Sequence, residues 1–162
     1  MAVGSREEVV TVEDGAWPIL VIRFPVVVSA ETVQSMLRAI ERAYARKQRF
    51  AVIVDTTPVS KFPAAPARQV LSDWVADGQR AERERAWTVT TVVVLESGPL
   101  RALTAAINLM RKPVSPQHWT ATFGDAVEWA RRCLIAEGAK LPPGAEALYE
   151  ETRGARNAGH AG

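Results

Sequence analysis

The polar residues that follow a short apolar run near the middle of this chain are the first candidates for chemistry. Asp55 ends the run at residues 50–54, and Thr56, Thr57 and Ser60 follow it closely. In α/β proteins ligands bind beyond the carboxyl ends of the strands, so this loop could hold a small polar ligand or a cation. The alternative is that Asp55 accepts hydrogen bonds from the amides of its own turn, as short polar side chains do. The residue types favour that alternative.

Ser97 is the second candidate, because it follows another apolar run and precedes a predicted helix. A helix N-terminus offers unpaired N–H groups that can bind an anion. A serine at this place is also an ordinary N-cap. The chain contains neither a Gly-x-Gly-x-x-Gly nor a Walker pattern, which are the loops that hold nucleotide phosphates. The capping role is therefore favoured, and we expect no cofactor.

Nucleophiles and metal ligands are scarce, since the 162 residues include one cysteine and two histidines. A single cysteine excludes an internal disulfide. Cys133 lies on the apolar face of the last predicted helix, whereas a nucleophilic thiolate needs exposure and a neighbouring base. No residue stands at catalytic spacing from His118, and His160 lies near the C-terminus. We therefore expect no catalytic residue, no metal site and no enzymatic activity.

The charge balance points to neither nucleic acid nor membrane. Twenty basic residues against 18 acidic ones leave a formal net charge of +2, which is too small an excess for a nucleic-acid surface. No stretch approaches the 18 apolar residues of a membrane span, and residues 1–15 carry charges and no apolar leader. We expect a cytoplasmic protein with no integral membrane segment.

Hydrophobic spacing in the first half of the chain predicts a hairpin, a helix and a buried strand. Residues 9–12 and 17–24 are rich in valine and isoleucine and flank Asp14-Gly15, which is typical of a hairpin turn. Ser29 is a plausible N-cap, and apolar residues recur at helical spacing over residues 33–44. The continuous apolar run at residues 50–54 is typical of a strand that is buried on both faces.

The second half continues the alternation of helices and strands. A second helix carries an apolar stripe from residue 67 to residue 81, and its end at residues 80–85 alternates in charge, which predicts a solvated surface. The remaining predicted elements are a strand at 87–95, a helix at 100–111, a strand at 119–123 and a helix from residue 124.

The order β-β-α-β-α-β-α-β-α predicts a single α/β domain over residues 1–136. Its sheet is expected to be mostly parallel, with four to five strands, to open with an antiparallel hairpin and to have helices packed on it. Residues 137–162 are expected to form a C-terminal extension that is partly disordered, from Gly154 onwards, because that segment is rich in glycine, alanine and charge.

This element order, over about residues 9–136, resembles the STAS/SpoIIAA-like family, which includes the anti-sigma-factor antagonists and related regulatory modules. The resemblance implies a non-enzymatic regulatory module of bacterial origin that acts through protein partners. It is carried by the strand at 50–55 with its following loop and helix, and by a closing unit made of residues 97–106, Pro113, Pro116, Thr122-Phe123 and residues 126–129.

The antagonists of that family are phosphorylated by a partner kinase at the start of the helix that follows this strand. The family pattern there is Asp, then Ser, then Ser or Thr, then Gly. The corresponding residues 62–66 of this chain contain neither a hydroxyl group nor a glycine. The resemblance therefore does not carry the phosphorylation switch over to this chain.

The predicted helix at residues 100–111 is apolar on nearly all sides, so more than one of its faces must be covered. The cover could be neighbouring helices of the same domain, the C-terminal segment around Leu148 and Tyr149, a lipid-like ligand, or a partner chain that could be a second copy, and these alternatives stay open. A further hypothesis is that the protein binds a small-molecule or lipid-like ligand through the loops after Asp55 and Leu95. The candidate interface residues are Leu103, Ala106, Leu109 and Met110.

Overall fold

The chain forms a mixed five-stranded sheet with helices on both faces. The computed structural model describes residues 9–61, 63–96 and 114–159. The strands follow the order β1-β2-β3-β4-β5; β1 is antiparallel to β2, and the other neighbours are parallel. The elements are β1 (Thr11–Glu13), β2 (Ile19–Arg23), α1 (Ala30–Ala45), β3 (Phe50–Asp55), α2 (Ala65–Ala76), α3 (Gly78–Trp87), β4 (Thr88–Val94), β5 (Gln117–Thr120), α4 (Phe123–Ala136) and α5 (Pro143–Gly159).

The predicted α/β fold and its opening hairpin are confirmed. All six residues of β3 are buried, which is the reason for its unbroken apolar run. Phe50, Val52 and Val54 face a core shared with α1 and α2, and the alternate residues Ala51 and Ile53 face a core shared with α4 and α5. The sheet thus separates two helical layers in the described part of the chain.

Ser29 is the N-cap of α1, as the sequence predicts, and it forms a capping box with Thr32. The Oγ of Ser29 accepts a hydrogen bond from the backbone N–H of Thr32 at 3.2 Å, and the N–H of Ser29 donates to Oγ1 of Thr32 at 3.0 Å. These bonds satisfy backbone donors that a helix N-terminus otherwise leaves unpaired. The helix is thereby held where its apolar stripe meets the sheet.

The second predicted helix is in fact two helices, so that part of the prediction is wrong. The chain leaves helical geometry at Asp77, whose Oδ1 accepts a hydrogen bond from the backbone N–H of Gln79 at 3.0 Å. An aspartate in this position caps a new helix, and here it begins α3. The apolar stripe crosses the break, and helical periodicity alone therefore could not reveal it.

In the C-terminal extension, α5 runs from Pro143 through Gly154 to Gly159. Its apolar side packs on α4: Ala145 is fully buried in the second core, and Leu148 and Tyr149 pack against that core. The composition of the segment does not reveal this packing. The predicted helix at 100–111, with Leu103, Ala106, Leu109 and Met110, lies outside the described residues, as does Ser97.

We expect Gly144→Ala to lower the free energy of unfolding by about 1–3 kcal/mol. A Cβ at Gly144 would overlap the backbone carbonyl oxygen of Gly15, in the turn between β1 and β2. Gly154 lies in the same helix with open space around it, so Gly154→Ala is the control and should be neutral or stabilising by up to about 1 kcal/mol. Urea denaturation of the two variants measures the difference, and equal stabilities would contradict the close contact.

Candidate ligand-binding site

A cavity of about 220 Å³ lies between the sheet and the helical layer formed by α1, α2 and α3. An apolar cavity of about 150 Å³ can hold a benzene molecule, so this one has room for a small organic ligand. Most of its described lining is apolar, and three aromatic rings contribute to it. The largest of these lining side chains are those of Phe24, Met36, Tyr44, Leu71, Trp74 and Leu95.

The cavity lies over one face of β4. Thr91 and Val93 line it and are half-buried, although β4 is an inner strand of the sheet. Their neighbours Val92 and Val94 point to the opposite face and are fully buried. The two faces of the same strand therefore differ in packing, and the looser face is the one that the cavity covers.

A buried ion pair lies beside the cavity, where the sequence predicts a solvated helix end. Arg80 and Glu84 are 4% and 6% exposed, and the Nη1 of Arg80 donates to the carboxylate of Glu84. The other carboxylate oxygen accepts a hydrogen bond from the Oγ of Ser115 at 2.7 Å. The prediction for this segment is thus wrong for Arg80 and Glu84. Glu84 also contributes to the cavity wall.

The break at Asp77 explains why Arg80 is buried. A helix that ends leaves its last carbonyl groups without intrahelical donors. Arg80 supplies donors to two of them: its Nε lies 3.2 Å from the carbonyl oxygen of Trp74, and its Nη2 lies 2.9 Å from that of Val75. Arg80 therefore joins the end of α2 to Glu84 on α3.

Trp74 is held on the cavity wall by the same arginine. The guanidinium carbon of Arg80 lies 4.4 Å from the centre of the Trp74 ring, which is cation–π geometry. The indole Nε1 of Trp74 is buried and has no hydrogen-bond partner among the described residues. Trp74 thus lines the cavity, while its indole nitrogen is inaccessible to solvent.

Asp55 lies in a turn at the end of β3, and its carboxylate is engaged by the protein itself. Its Oδ1 accepts hydrogen bonds from the backbone N–H and the Oγ1 of Thr57 at 3.0 and 2.7 Å. Its Oδ2 accepts from the Nη1 of Arg23 at 2.8 Å. Asp55 is 5% exposed, so the structure places it as a turn-forming residue that also pairs with β2.

The other residues predicted in this loop are divided between the cavity and the surface. Thr56 lines the cavity, and its Oγ1 donates to the carbonyl oxygen of Val94 at 2.6 Å. Ser60 is exposed, and its backbone N–H donates to the carbonyl oxygen of Val26 at 3.1 Å. These bonds hold the loop against β4 and against the loop before α1. They do not gather Asp55, Thr57 and Ser60 into one binding site.

Cys133 and His118 do not form a nucleophile and base in this structure. Burial raises the pKa of the Cys133 thiol, which keeps it protonated at neutral pH. The ring of His118 stacks on Trp129 with 3.7 Å between the centroids. No group of three or more His, Cys, Asp or Glu residues that could hold a metal ion occurs in residues 9–61, 63–96 and 114–159.

Sequence reasoning missed Tyr44, Trp74, Arg80 and Glu84 as residues of one site. Tyr44 and Trp74 stand on apolar helix stripes, which predict a core and give no sign of a cavity within it. Arg80 and Glu84 have the i,i+4 spacing of an exposed helix pair. Their burial follows from contacts with Ser115 and with the end of α2, which this spacing does not show.

Comparison with known proteins identifies no family for this chain. No protein-family model matches it, and neither the curated proteins nor the solved structures contain a match. Among the residues that the structure describes, no helix is both long enough and apolar enough to cross a membrane.

We expect Arg80→Leu to lower the free energy of unfolding by about 3–5 kcal/mol, because it leaves the Glu84 carboxylate buried without its cation. The control is Arg38→Leu, which breaks an ion pair with Glu31 between side chains that are 55% and 47% exposed. That exposed pair should contribute less than about 1 kcal/mol. Urea denaturation compares the variants, and similar losses in both would argue against a buried pair.

Tyr44 should make stability fall with rising pH in the alkaline range. Burial, with a smaller effect of the Glu84 carboxylate, raises the pKa of Tyr44 from 10.0 to about 12. Because the unfolded chain then loses the phenol proton first, this contribution is complete below pH 10 and is lost between pH 10 and 12, by about 1.4 kcal/mol per pH unit. Tyr44→Phe should lack this slope in denaturation curves. Parallel pH profiles of the two proteins would refute the prediction.

Proposed function

We propose that this protein is a non-enzymatic binding module that holds a small, largely apolar molecule in the cavity beneath α1 and α2. The observation that carries the proposal is the cavity of about 220 Å³ over β4. Protein cores are close-packed and contain few voids larger than a water molecule. A space of this size with an apolar lining is typical of a ligand site rather than of a filled core.

The polar groups around the cavity favour binding over catalysis. Glu84 and Tyr44 are the ionisable side chains among the described lining residues. The carboxylate of Glu84 is bonded to Arg80 and Ser115, and the raised pKa keeps Tyr44 protonated at neutral pH. Neither group is arranged to move a proton to or from a bound molecule. The sequence predicts a ligand bound through the loops after Asp55 and Leu95, whereas the ligand proposed here lies inside the cavity.

Filling the cavity tests this function. Val93→Phe adds a ring on the cavity side of β4 and should weaken binding of acetophenone, a small neutral aromatic probe, at least tenfold. The control is Ile135→Phe: Ile135 is 46% exposed on α4, which packs on the other face of the sheet. Calorimetric or NMR titration gives the affinities, and circular dichroism checks that each variant is folded.

Two results would count against the binding function. One is a wild-type protein that binds no small aromatic probe. The other is a folded Val93→Phe variant that binds acetophenone as tightly as the wild type does. Native mass spectrometry of protein purified from its source organism adds an independent measurement, in which a bound small molecule should appear as an added mass that Val93→Phe lacks.

The STAS-like resemblance supports a second function, regulation through a protein partner or through self-association. The observation that favours it is an exposed apolar pair, Val26 and Val27, with 54% and 49% of their surface accessible. Their loop borders the cavity, because Phe24 and Val28 line it. A pull-down experiment tests this function with three proteins: wild type, the double variant Val26→Asp/Val27→Asp and, as the control, Ile135→Asp. A partner retained by all three proteins would not use this loop.

A further inference from the structure

We infer that the hydroxyl group of Thr91 is a recognition point of this cavity, and that the ligand has an apolar body with an oxygen atom that accepts a hydrogen bond from it. This inference rests on the proposed binding function and specifies the chemical class of the ligand. It combines two observations on β4: a polar side chain on the strand face that the cavity covers, and an accessible oxygen atom without a partner.

The position of Thr91 in the sheet directs its side chain toward the cavity. Thr91 stands opposite Val52 of β3 in the sheet register, and Val52 faces the core that is shared with α1 and α2. Thr91 lines the cavity together with Val93, which is two residues further along the same strand face. Residues at this spacing are about 7 Å apart, so a molecule of one ring can contact both side chains.

The Oγ1 of Thr91 is an accessible oxygen atom that has no hydrogen-bond partner among the described residues. The residue is half-buried, and its oxygen is not among the inaccessible polar atoms, unlike the Nε1 of Trp74. A valine would suit this strand equally well and would fill the same volume without a polar atom. Ligand sites combine an apolar lining with a few polar groups that fix the orientation of the bound molecule. The hydroxyl of Thr91 can serve as such a group.

The other polar side chains of the described lining are engaged by the protein itself. The Oγ1 of Thr56 donates to a backbone carbonyl oxygen at 2.6 Å, and the phenol of Tyr44 is hydrogen-bonded to the side chain of Thr88. The carboxylate of Glu84 is held by a buried arginine and a serine, and Gln117 also has an interaction within the chain. Within the described lining, the hydroxyl on the middle of β4 is therefore the group that is left for a ligand.

Two probes of nearly equal shape isolate the hydrogen bond: acetophenone, and α-methylstyrene, in which a CH₂ group replaces the carbonyl oxygen. Thr91→Val keeps the shape of the side chain and removes its hydroxyl, whereas Thr91→Ser keeps the hydroxyl and removes a methyl group. We expect Thr91→Val to lower the affinity ratio of acetophenone to α-methylstyrene about threefold to tenfold, which is the effect of one hydrogen bond. Thr91→Ser should retain the wild-type ratio. Calorimetric or NMR titration measures the affinities.

The infrared spectrum of the bound probe gives a readout that a change of cavity shape would not produce. A hydrogen bond to a carbonyl oxygen lowers the stretching frequency of that carbonyl group. The carbonyl band of ¹³C-labelled acetophenone should therefore lie at lower frequency in wild type and in Thr91→Ser than in Thr91→Val. The same band position in all three proteins would contradict the hydrogen bond.

The stability of the protein without ligand tests whether the hydroxyl is unpaired. Thr90 precedes Thr91 and faces the opposite side of the sheet, where its Oγ1 donates to the carbonyl oxygen of Pro116 at 3.0 Å. Thr90→Val should lower the midpoint of urea denaturation, because it leaves this acceptor without a donor. Thr91→Val should leave the midpoint unchanged or raise it. Equal losses in the two variants would mean that the Thr91 hydroxyl has a partner within the protein, which would refute the inference.

The outcomes separate this inference from the proposed function. If wild type binds both probes but Thr91→Val leaves their affinity ratio unchanged, the binding function stands and the role of Thr91 is refuted. If Thr91→Ser lowers the ratio as much as Thr91→Val does, the effect belongs to the shape of the side chain, and the role of the hydroxyl is refuted as well. If neither probe binds wild type, the proposed function fails and the inference fails with it.

Discussion

The burial of β3 on both faces is the constraint on which the rest of this structure depends. Phe50, Val52 and Val54 need a helical layer on one side, and Ala51 and Ile53 need a second layer on the other. Apolar surface left in water on either face would cost about 25 cal/mol per Å². The chain meets this requirement with α1 and α2 on one face and with α4 and α5 on the other. α5 contributes Ala145 to the second of these cores.

The two layers pack on the sheet differently, and that difference gives the molecule its candidate site. On the face that α4 and α5 cover, four residues of α4 are fully buried: Ala126, Val127, Ala130 and Leu134. On the opposite face, the break at Asp77 separates α2 from α3, and Arg80 donates hydrogen bonds across the break to the end of α2. The cavity lies in this divided layer, bordered by Trp74 and Glu84. A local capping interaction thus contributes to the shape of the site.

The features that the sequence predicts correctly depend on short-range rules. The Ser29 cap, the helical stripe of α1 and the double burial of β3 each follow from side chains within one turn or one strand. The features that the sequence does not predict depend on contacts between distant parts of the chain. The helix that contains Gly154, for example, packs through Ala145 and Leu148 on a core that is built from distant parts of the chain. Composition does not describe a contact with a remote surface.

The sequence by itself determined the α/β class, the opening hairpin and the scarcity of nucleophiles, because these depend on residue type and local periodicity. The tertiary structure decided which residues form a site. Arg80 and Glu84 have the spacing of a solvated helix pair, and only packing against Ser115 and the end of α2 makes them a buried one. A cavity is likewise a property of how elements fit together, since Met36, Tyr44 and Trp74 in its wall have the sequence pattern of an ordinary core.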